Sequence, residues 1–169
     1  APESAKPFGL AGFGDVEESG EPNVGFTFIA SAVGDRDSSG STLDCFSSLN
    51  VQAGDVLVAI VRWHSSDTSA SVAEVGGENS FTMRPRQYSI YESLQFGYIE
   101  SATADSSATF RVTWGSAVTY CGVIVLQFRP DAGDTVSFMD DAPNSGSSAV
   151  AVSGQASASG DDILAVSGH

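Results

Sequence analysis

The chain has 169 residues, of which 41% are hydrophobic and 17% are charged, and its formal net charge is −14. This length and composition fit one globular domain and exclude a disordered tail or a coiled coil. The excess of 21 acidic over 7 basic residues makes binding to a nucleic-acid backbone or to an anionic membrane surface unfavourable. We expect neither partner, and no apolar run reaches the ~20 residues that span a bilayer.

The N-terminal segment 1–23 differs in character from the rest of the chain, since it is rich in glycine and acidic residues. It places Phe8, Leu10 and Phe13 among glycines, a pattern that cannot bury its large side chains locally. We therefore predict an extended N-terminal arm that contacts another surface through these three side chains. The alternative is that the arm packs on its own domain.

From Val24 the sequence changes to short apolar runs that are rich in β-branched residues and bounded by turn-forming residues. We predict about ten strands and no helix, because no apolar stripe of helical period persists over three turns. The predicted strands cover residues 25–33, 41–51, 56–63, 70–75, 80–84, 88–100, 108–114, 120–128, 136–139, 149–152 and 163–166.

Two of these runs are apolar at almost every position. Segment 56–63 is typical of a central strand shielded on both faces, and 120–128 is a second long apolar strand. Strands that recur every ~10–15 residues with Ser/Gly-rich connections indicate two packed sheets. We therefore predict an all-β fold, an antiparallel β-sandwich of jelly-roll or Greek-key type, over residues 24–169.

A short internal repeat relates 52–60 to 158–166, with a Gly-Asp turn in both copies. It predicts two similar strand beginnings but is too short to indicate a duplicated domain. After the second copy only 167–169 remain, where a returning strand is expected. Either the domain is incomplete at its C terminus, or its last strand lies at an edge that another molecule covers.

No catalytic or zinc-binding arrangement is recognisable. His64 is followed by Ser65, Ser66 and Asp67, but the members of a serine triad come from separate elements rather than from adjacent positions. Two histidines and two separated cysteines do not form a zinc pattern. We therefore expect a protein that is not an enzyme and that has no cofactor.

The candidates for metal binding are Asp35, Asp37 and Ser39. Alternating oxygen ligands before Gly40 match the start of a calcium loop, but the last loop position, which needs a bidentate acid, is Phe46. A solvated hairpin turn is therefore the simpler interpretation, with calcium as the alternative.

The two cysteines, Cys45 and Cys121, both fall in strand-like segments. We interpret each as a small buried apolar residue. The alternative is a disulfide across the sandwich, which would need an oxidising setting.

Exposed aromatic side chains on a β-face can stack on sugars. The chain offers the following candidates: Trp63, Tyr88, Tyr91, Tyr98, Trp114 and Tyr120. The two tryptophans end apolar strands, so we predict that they lie in the core or at its rim.

The order of these segments resembles a known class of module. A polar strand is followed by the apolar run 54–61, a Ser/Asp loop, an alternating strand ending at 98–100, a Thr-rich strand ending in Trp114, and the apolar run 123–128. This pattern is similar to β-sandwich modules in the tail fibres, spikes and decoration proteins of tailed bacteriophages. Related modules are appended to secreted bacterial adhesins and polysaccharide-active enzymes, and the likeness carries no catalytic residues.

The resemblance implies a structural virion protein, either a capsid decoration protein or a tail or fibre subunit, that assembles in the host cytoplasm. Its partners would be other virion subunits or copies of itself, contacted through the arm and through strand edges. The alternative is a secreted carbohydrate-binding or adhesin module that binds cell-surface glycan. A third possibility is an extracellular filament subunit.

Overall fold

The computed structural model describes residues 25–64, 68–88, 91–132 and 136–137, which form an all-β, antiparallel fold. This part of the chain contains no helix, and hence none long and apolar enough to cross a membrane. The predicted arm 1–23 and most of the chain after Ala132 lie outside the described residues. The predicted strands at 149–152 and 163–166, and the second half of 136–139, are among the residues outside.

Ten strands are present in the described ranges: β1 (Phe26–Arg36), β2 (Gly40–Asp44), β3 (Leu49–Val51), β4 (Val56–His64), β5 (Ala70–Glu74), β6 (Thr82–Met83), β7 (Gln87–Tyr88), β8 (Ser93–Ile99), β9 (Asp105–Ala108) and β10 (Phe110–Pro130).

The 21-residue strand β10 organises most of the others. From Thr119 onwards it pairs with β1 on one side and β4 on the other, whereas its first half pairs with β2 and β5. Beyond β4 the first group continues with β8, which pairs with β6 and β7. Strands β3 and β9 form a separate two-stranded sheet.

The two halves of β10 meet at an irregularity. Tyr120 has a φ of 47°, in the left-handed region, and the register shifts between Thr113 and Val118 against β2 and between Thr119 and Gly122 against β4. Such an irregularity lets one strand pass from one set of partners to another. The sequence predicted two strands here, 108–114 and 120–128, whereas the structure has one continuous strand.

The inward-facing side chains of both groups of strands form one buried cluster. Within it, Trp63 of β4 and Trp114 of β10 meet edge to face, with ring centroids 6.2 Å apart, and are 1% and 2% exposed. Phe81 and Phe110 make a second edge-to-face pair at 5.6 Å. The prediction that both tryptophans belong to the core is therefore confirmed.

The chain leaves the sheet between β2 and β3. The amide of Cys45 donates to the carbonyl of Phe110 at 2.9 Å, and the amide of Phe46 donates to the carbonyl of Val33 at 2.7 Å. Beyond these bonds the chain pairs with β9 instead of β10, so the predicted strand 41–51 is divided into β2 and β3.

Both cysteines are buried and carry free thiols. Burial, with the nearby negative charge of Asp44, raises the pKa of the Cys45 thiol to about 11. The interpretation of Cys45 and Cys121 as buried apolar residues is therefore confirmed, and the alternative of a disulfide between them is wrong.

A buried carboxylate ties the start of β4 to the end of β10. Asp55 is 1% exposed, and its two oxygens accept hydrogen bonds from Arg129 Nε at 2.7 Å and Nη2 at 3.0 Å. Asp55 also accepts from Gln127 Nε2 at 2.5 Å and from the Gln52 amide at 2.8 Å. Gly54, with a φ of 89°, allows the tight turn that brings Asp55 to this position.

The pKa of Asp55 reflects this environment. Burial raises the pKa of the carboxyl, but the hydrogen bonds from Arg129, Gln52 and Gln127, together with the Arg129 charge, outweigh it and leave the pKa below its ordinary value. A lowered pKa in the folded state means that ionised Asp55 stabilises the fold at pH values above the unfolded-state pKa of about 3.9. That stabilisation is lost as the pH falls from there through the lower folded-state pKa.

We predict that Asp55→Asn lowers the free energy of unfolding by about 2–4 kcal/mol at pH 7, because it leaves Arg129 without its ionised partner. The difference from the parent chain should shrink as the pH falls below about 4. Urea unfolding at pH 7 and pH 3 measures both effects. The exposed Asp35→Asn is the control and should change stability by less than about 0.5 kcal/mol. A difference that persists unchanged at pH 3 would contradict the assignment.

Candidate interaction surface

The strands β1, β10, β4 and β8 have two apolar faces. Successive side chains of a strand point to opposite faces, and the inward face is formed by residues such as Ala32, Val125 and Ala59, all fully buried. The opposite face is also apolar, although no described strand packs against it.

Cross-strand pairing arranges this second face in three rows. The first row is Val33, Ile124, Ile60 and Phe96, the second is Ser31, Leu126, Val58 and Tyr98, and the third is Phe28, Phe128 and Val56. We call the apolar side chains of these rows that remain at least partly exposed the outer apolar face. Its members are Phe28, Val33, Val58, Ile60, Phe96, Ile124, Leu126 and Phe128.

The outer apolar face is accessible to solvent in the described part of the chain. Phe28 is 55% exposed, Val33 is 46% exposed and Ile124 is 42% exposed. Phe28 and Phe128 pack edge to face with centroids 5.7 Å apart. None of the three rows contains a charged residue, and a contiguous apolar patch of this kind is typical of an interaction site.

The sequence predicted that both faces of the strand at 56–63 are shielded from solvent, but among the described residues only one face is fully buried. Leu57, Ala59 and Val61 are fully buried, but Val58 and Ile60 on the other side are only half-buried. The sequence correctly indicated an apolar strand on both sides, and the structure shows that one side lacks a cover within the described ranges.

The face ends at a charged row and at an edge strand. The next row along the strands is Asp35, Gly122, Arg62 and Leu94, which carries one charge of each sign. Strand β1 is the end strand of its sheet order, and a register shift between Phe28 and Ala30 leaves Ile29 38% exposed at this edge.

The outward face of the other group of strands is different in kind. Its rows are Thr42, Thr113 and Ser71, and Asp44, Arg111 and Ala73. Arg111 Nε and Nη2 donate to the Asp44 carboxylate at 2.5 and 2.8 Å, and this pair holds the pKa of Asp44 below its ordinary value. The two outward faces of the fold thus contrast, one polar and one apolar.

A second feature is a cluster of exposed aromatic rings at one end of β4 and near the bend of β10. His64 lies 6.0 Å from the ring of Tyr91 and 5.9 Å from that of Tyr120, measured between centroids. Tyr91 is 67% exposed and Tyr120 is 59% exposed. Among the non-glycine residues that the structure describes, Tyr120 is the one with a positive φ. Backbone strain of this kind is often found at functional positions.

The remaining sugar-stacking candidates are placed elsewhere. Tyr88 is 59% exposed, with the Arg86 guanidinium 4.8 Å from its ring centroid. Tyr98 lies in the second row of the sheet, beside the outer apolar face. Of the predicted pool, the structure therefore brings together Tyr91 and Tyr120, and it adds His64, which sequence reasoning had considered as a triad member.

The calcium candidates lie in the turn between β1 and β2. Asp35 and Asp37 are exposed, and the turn closes around Arg36, which donates to the carbonyl oxygens of Ser38 at 2.9 Å and of Gly40 at 2.8 Å, and also to that of Thr42. These carbonyl oxygens bind a guanidinium. In the ranges that the structure describes, no group of three or more His, Cys, Asp or Glu side chains could hold a metal ion.

Comparison of the chain with protein-family models, with curated proteins and with solved structures found no match.

Proposed function

We propose that this chain is a non-enzymatic structural subunit of a phage virion, a capsid decoration protein or a tail or fibre subunit. In this proposal it assembles with copies of itself or with other virion subunits. The observation that carries the proposal is the uncharged outer apolar face, which is exposed on a chain of net charge −14. The virion setting comes from the resemblance of the strand pattern to virion β-sandwich modules.

The proposed architecture is a jelly-roll β-sandwich with an N-terminal arm. Along the chain, two strands of one group are interleaved with two of the other: β1 and β4 belong to one, and β2 and β5 belong to the other. An isolated antiparallel β-bridge pairs Ala73 of β5 with Ser80. The chain then continues into β6, which pairs with β8. Alternation of this kind supports two interleaved Greek keys.

Burial of apolar surface is the interaction that assembly would use. Copies of this chain repel one another at long range because of their acidity, and the repulsion is screened beyond about 10 Å at 0.1 M salt. An uncharged face can pack against a partner without the cost of removing an ion from water. Burial of its apolar area, worth roughly 25 cal/mol per Å², therefore contributes to association without that opposing cost.

We expect the purified chain to associate, and to associate more strongly as salt increases from about 0.05 to 0.5 M. Ile124→Asp should weaken association at least about tenfold, because it places a charge in the middle of the outer apolar face. Val75→Asp is the matched control, since Val75 is 45% exposed, against 42% for Ile124, and lies outside this face. Sedimentation velocity measures both. A parent chain that stays monomeric at every concentration and salt, or an Ile124→Asp chain that associates normally, would contradict the proposal.

The second candidate function is carbohydrate binding, in a secreted binding or adhesin module. The specific observation that favours it is the cluster of His64, Tyr91 and Tyr120, whose exposed rings can stack on the apolar faces of sugars.

If this second function is correct, a glycan array should give a reproducible ligand, and Tyr120→Ala should reduce its affinity by roughly tenfold through loss of stacking. Tyr88→Ala is the control because Tyr88 has the same 59% exposure as Tyr120 and lies outside the cluster. Equal loss in both variants, or no glycan bound by the parent chain, would rule out the cluster as a sugar site.

A further inference from the structure

We infer that the outer apolar face is the docking site of the N-terminal segment 1–24, with Phe8, Leu10 and Phe13 as its anchoring side chains. This inference rests on the proposed function, because it names the surface on which the proposed arm acts. Three properties of the chain support it: the composition of the face, the charge distribution in the segment, and the point at which the segment joins the sheet.

The first support is that residues 123–128, in the second half of β10, are more apolar on their outward side than on their inward side. Over residues 123–128 the inward positions are Val123, Val125 and Gln127, and the outward positions are Ile124, Leu126 and Phe128. The single polar residue of this run faces inward, where it binds the Asp55 carboxylate. Strand positions that face solvent are ordinarily polar. Three large apolar side chains on the outward side therefore indicate a face that is covered.

The second support is the charge of the segment. Residues 1–14 contain one acid, Glu3, and one base, Lys6, so the formal side-chain charge of this part is zero. The remaining acids of the segment are grouped between Asp15 and Glu21. The part that carries Phe8, Leu10 and Phe13 can therefore approach an acidic molecule without net repulsion.

The third support is reach. Segment 1–24 joins β1 at Gly25, beside the exposed Phe28 at the end strand of the sheet. The 18 residue-to-residue steps from Phe8 to Phe26 can span up to about 60 Å when the chain is extended. The face from β1 to β8 crosses three strand spacings, about 15 Å. The segment is therefore long enough to cover the face of its own molecule or that of a neighbour.

The spacing of the anchors suits a flat sheet. An extended chain places alternate side chains on opposite sides, so Phe8 and Leu10 would share one side while Gly9 and Ala11 occupy the other. Over residues 8–11, large side chains on one side and small ones on the other allow the segment to lie on an apolar face without exposing further apolar surface. Strict alternation would place Phe13 on the side of Gly9 and Ala11, so the docking we infer includes a change of backbone direction at Gly12, which glycine allows, to return Phe13 to the face.

The segment after β10 is the competing occupant, since it begins close to the same edge, where the Asp131 amide donates to the Gly25 carbonyl at 3.0 Å. Its apolar run 163–166 repeats the sequence pattern of the start of β4. That pattern predicts a strand that pairs within a sheet rather than a segment that covers one.

Disulfide trapping in the full-length chain tests the docking. Phe8→Cys, Leu10→Cys and Phe13→Cys are each combined with Ile124→Cys and oxidised with oxidised glutathione, and cross-linked peptides are identified by mass spectrometry. At least one pair should cross-link roughly tenfold faster than the same cysteine combined with Val75→Cys, since docking raises the effective concentration of the two thiols. Val75 and Ile124 are similarly exposed, at 45% and 42%.

The outcomes separate the docking from the proposed function. Cross-links between chains support both, whereas cross-links confined to single chains, with a monomeric parent, support the docking and contradict assembly. If the parent associates but no pair with Ile124→Cys exceeds its Val75→Cys control, the docking is wrong and assembly stands. Faster cross-linking of Ile163→Cys than of the three N-terminal cysteines to Ile124→Cys would also overturn the docking, in favour of the C-terminal segment.

Discussion

The pairing of β10 is the constraint on which the rest of the structure depends. This strand bonds to β1 and β4 with one half and to β2 and β5 with the other, so none of these four strands can shift independently. A slip of one residue would turn Val123 and Val125 out of the core and bring Ile124 in, reversing every face that β10 contributes. The Asp55 carboxylate opposes such a slip because it binds Gln127 and Arg129 at the end of β10.

The outer apolar face follows from the same register. Because nearly every residue of 123–128 is apolar, placing one alternate set in the core necessarily places the other set outside. The neighbouring strand β4 has the same property, and its Ile60 lies directly beside Ile124. An acidic chain that keeps this face free of charge has the means to associate in spite of its net charge. The polar outward face of β2, β5 and the first half of β10 has no such property.

Several features of this fold could be predicted from sequence alone. The all-β class, the central strands within 56–63 and 120–128, the buried tryptophans and the free buried cysteines follow from local apolar patterns. Strand β9, Asp105–Ala108, was missed because its sequence is mostly polar and its pairing with β3 depends on distant residues. The continuity of β10 was missed because Gly115 and Ser116 resemble a turn, although the neighbouring strands hold the backbone extended on both sides of its bend.

The interaction surfaces were harder to predict, for a physical reason. An apolar run such as 56–63 shows that both faces are apolar, but not which one the chain itself covers; only the register and the positions of the other strands decide that. The clustering of His64 with Tyr91 and Tyr120 likewise depends on the ends of β4 and the bend of β10 meeting in space. The sequence nevertheless indicated that an outer apolar face exists, because the strands at 56–63 and 120–128 are apolar at successive positions and so have apolar side chains on both faces.

We expect the outer apolar face to be covered in the protein as it exists in solution. The most direct measurement is the relaxation of methyl signals by a soluble, uncharged paramagnetic agent in the full-length chain at the concentration where it associates. We expect the methyl groups of Ile60 and Ile124 to be shielded nearly as well as that of the buried Val125, and Val75 to be strongly relaxed. Relaxation of Ile124 equal to that of Val75 would contradict the claim.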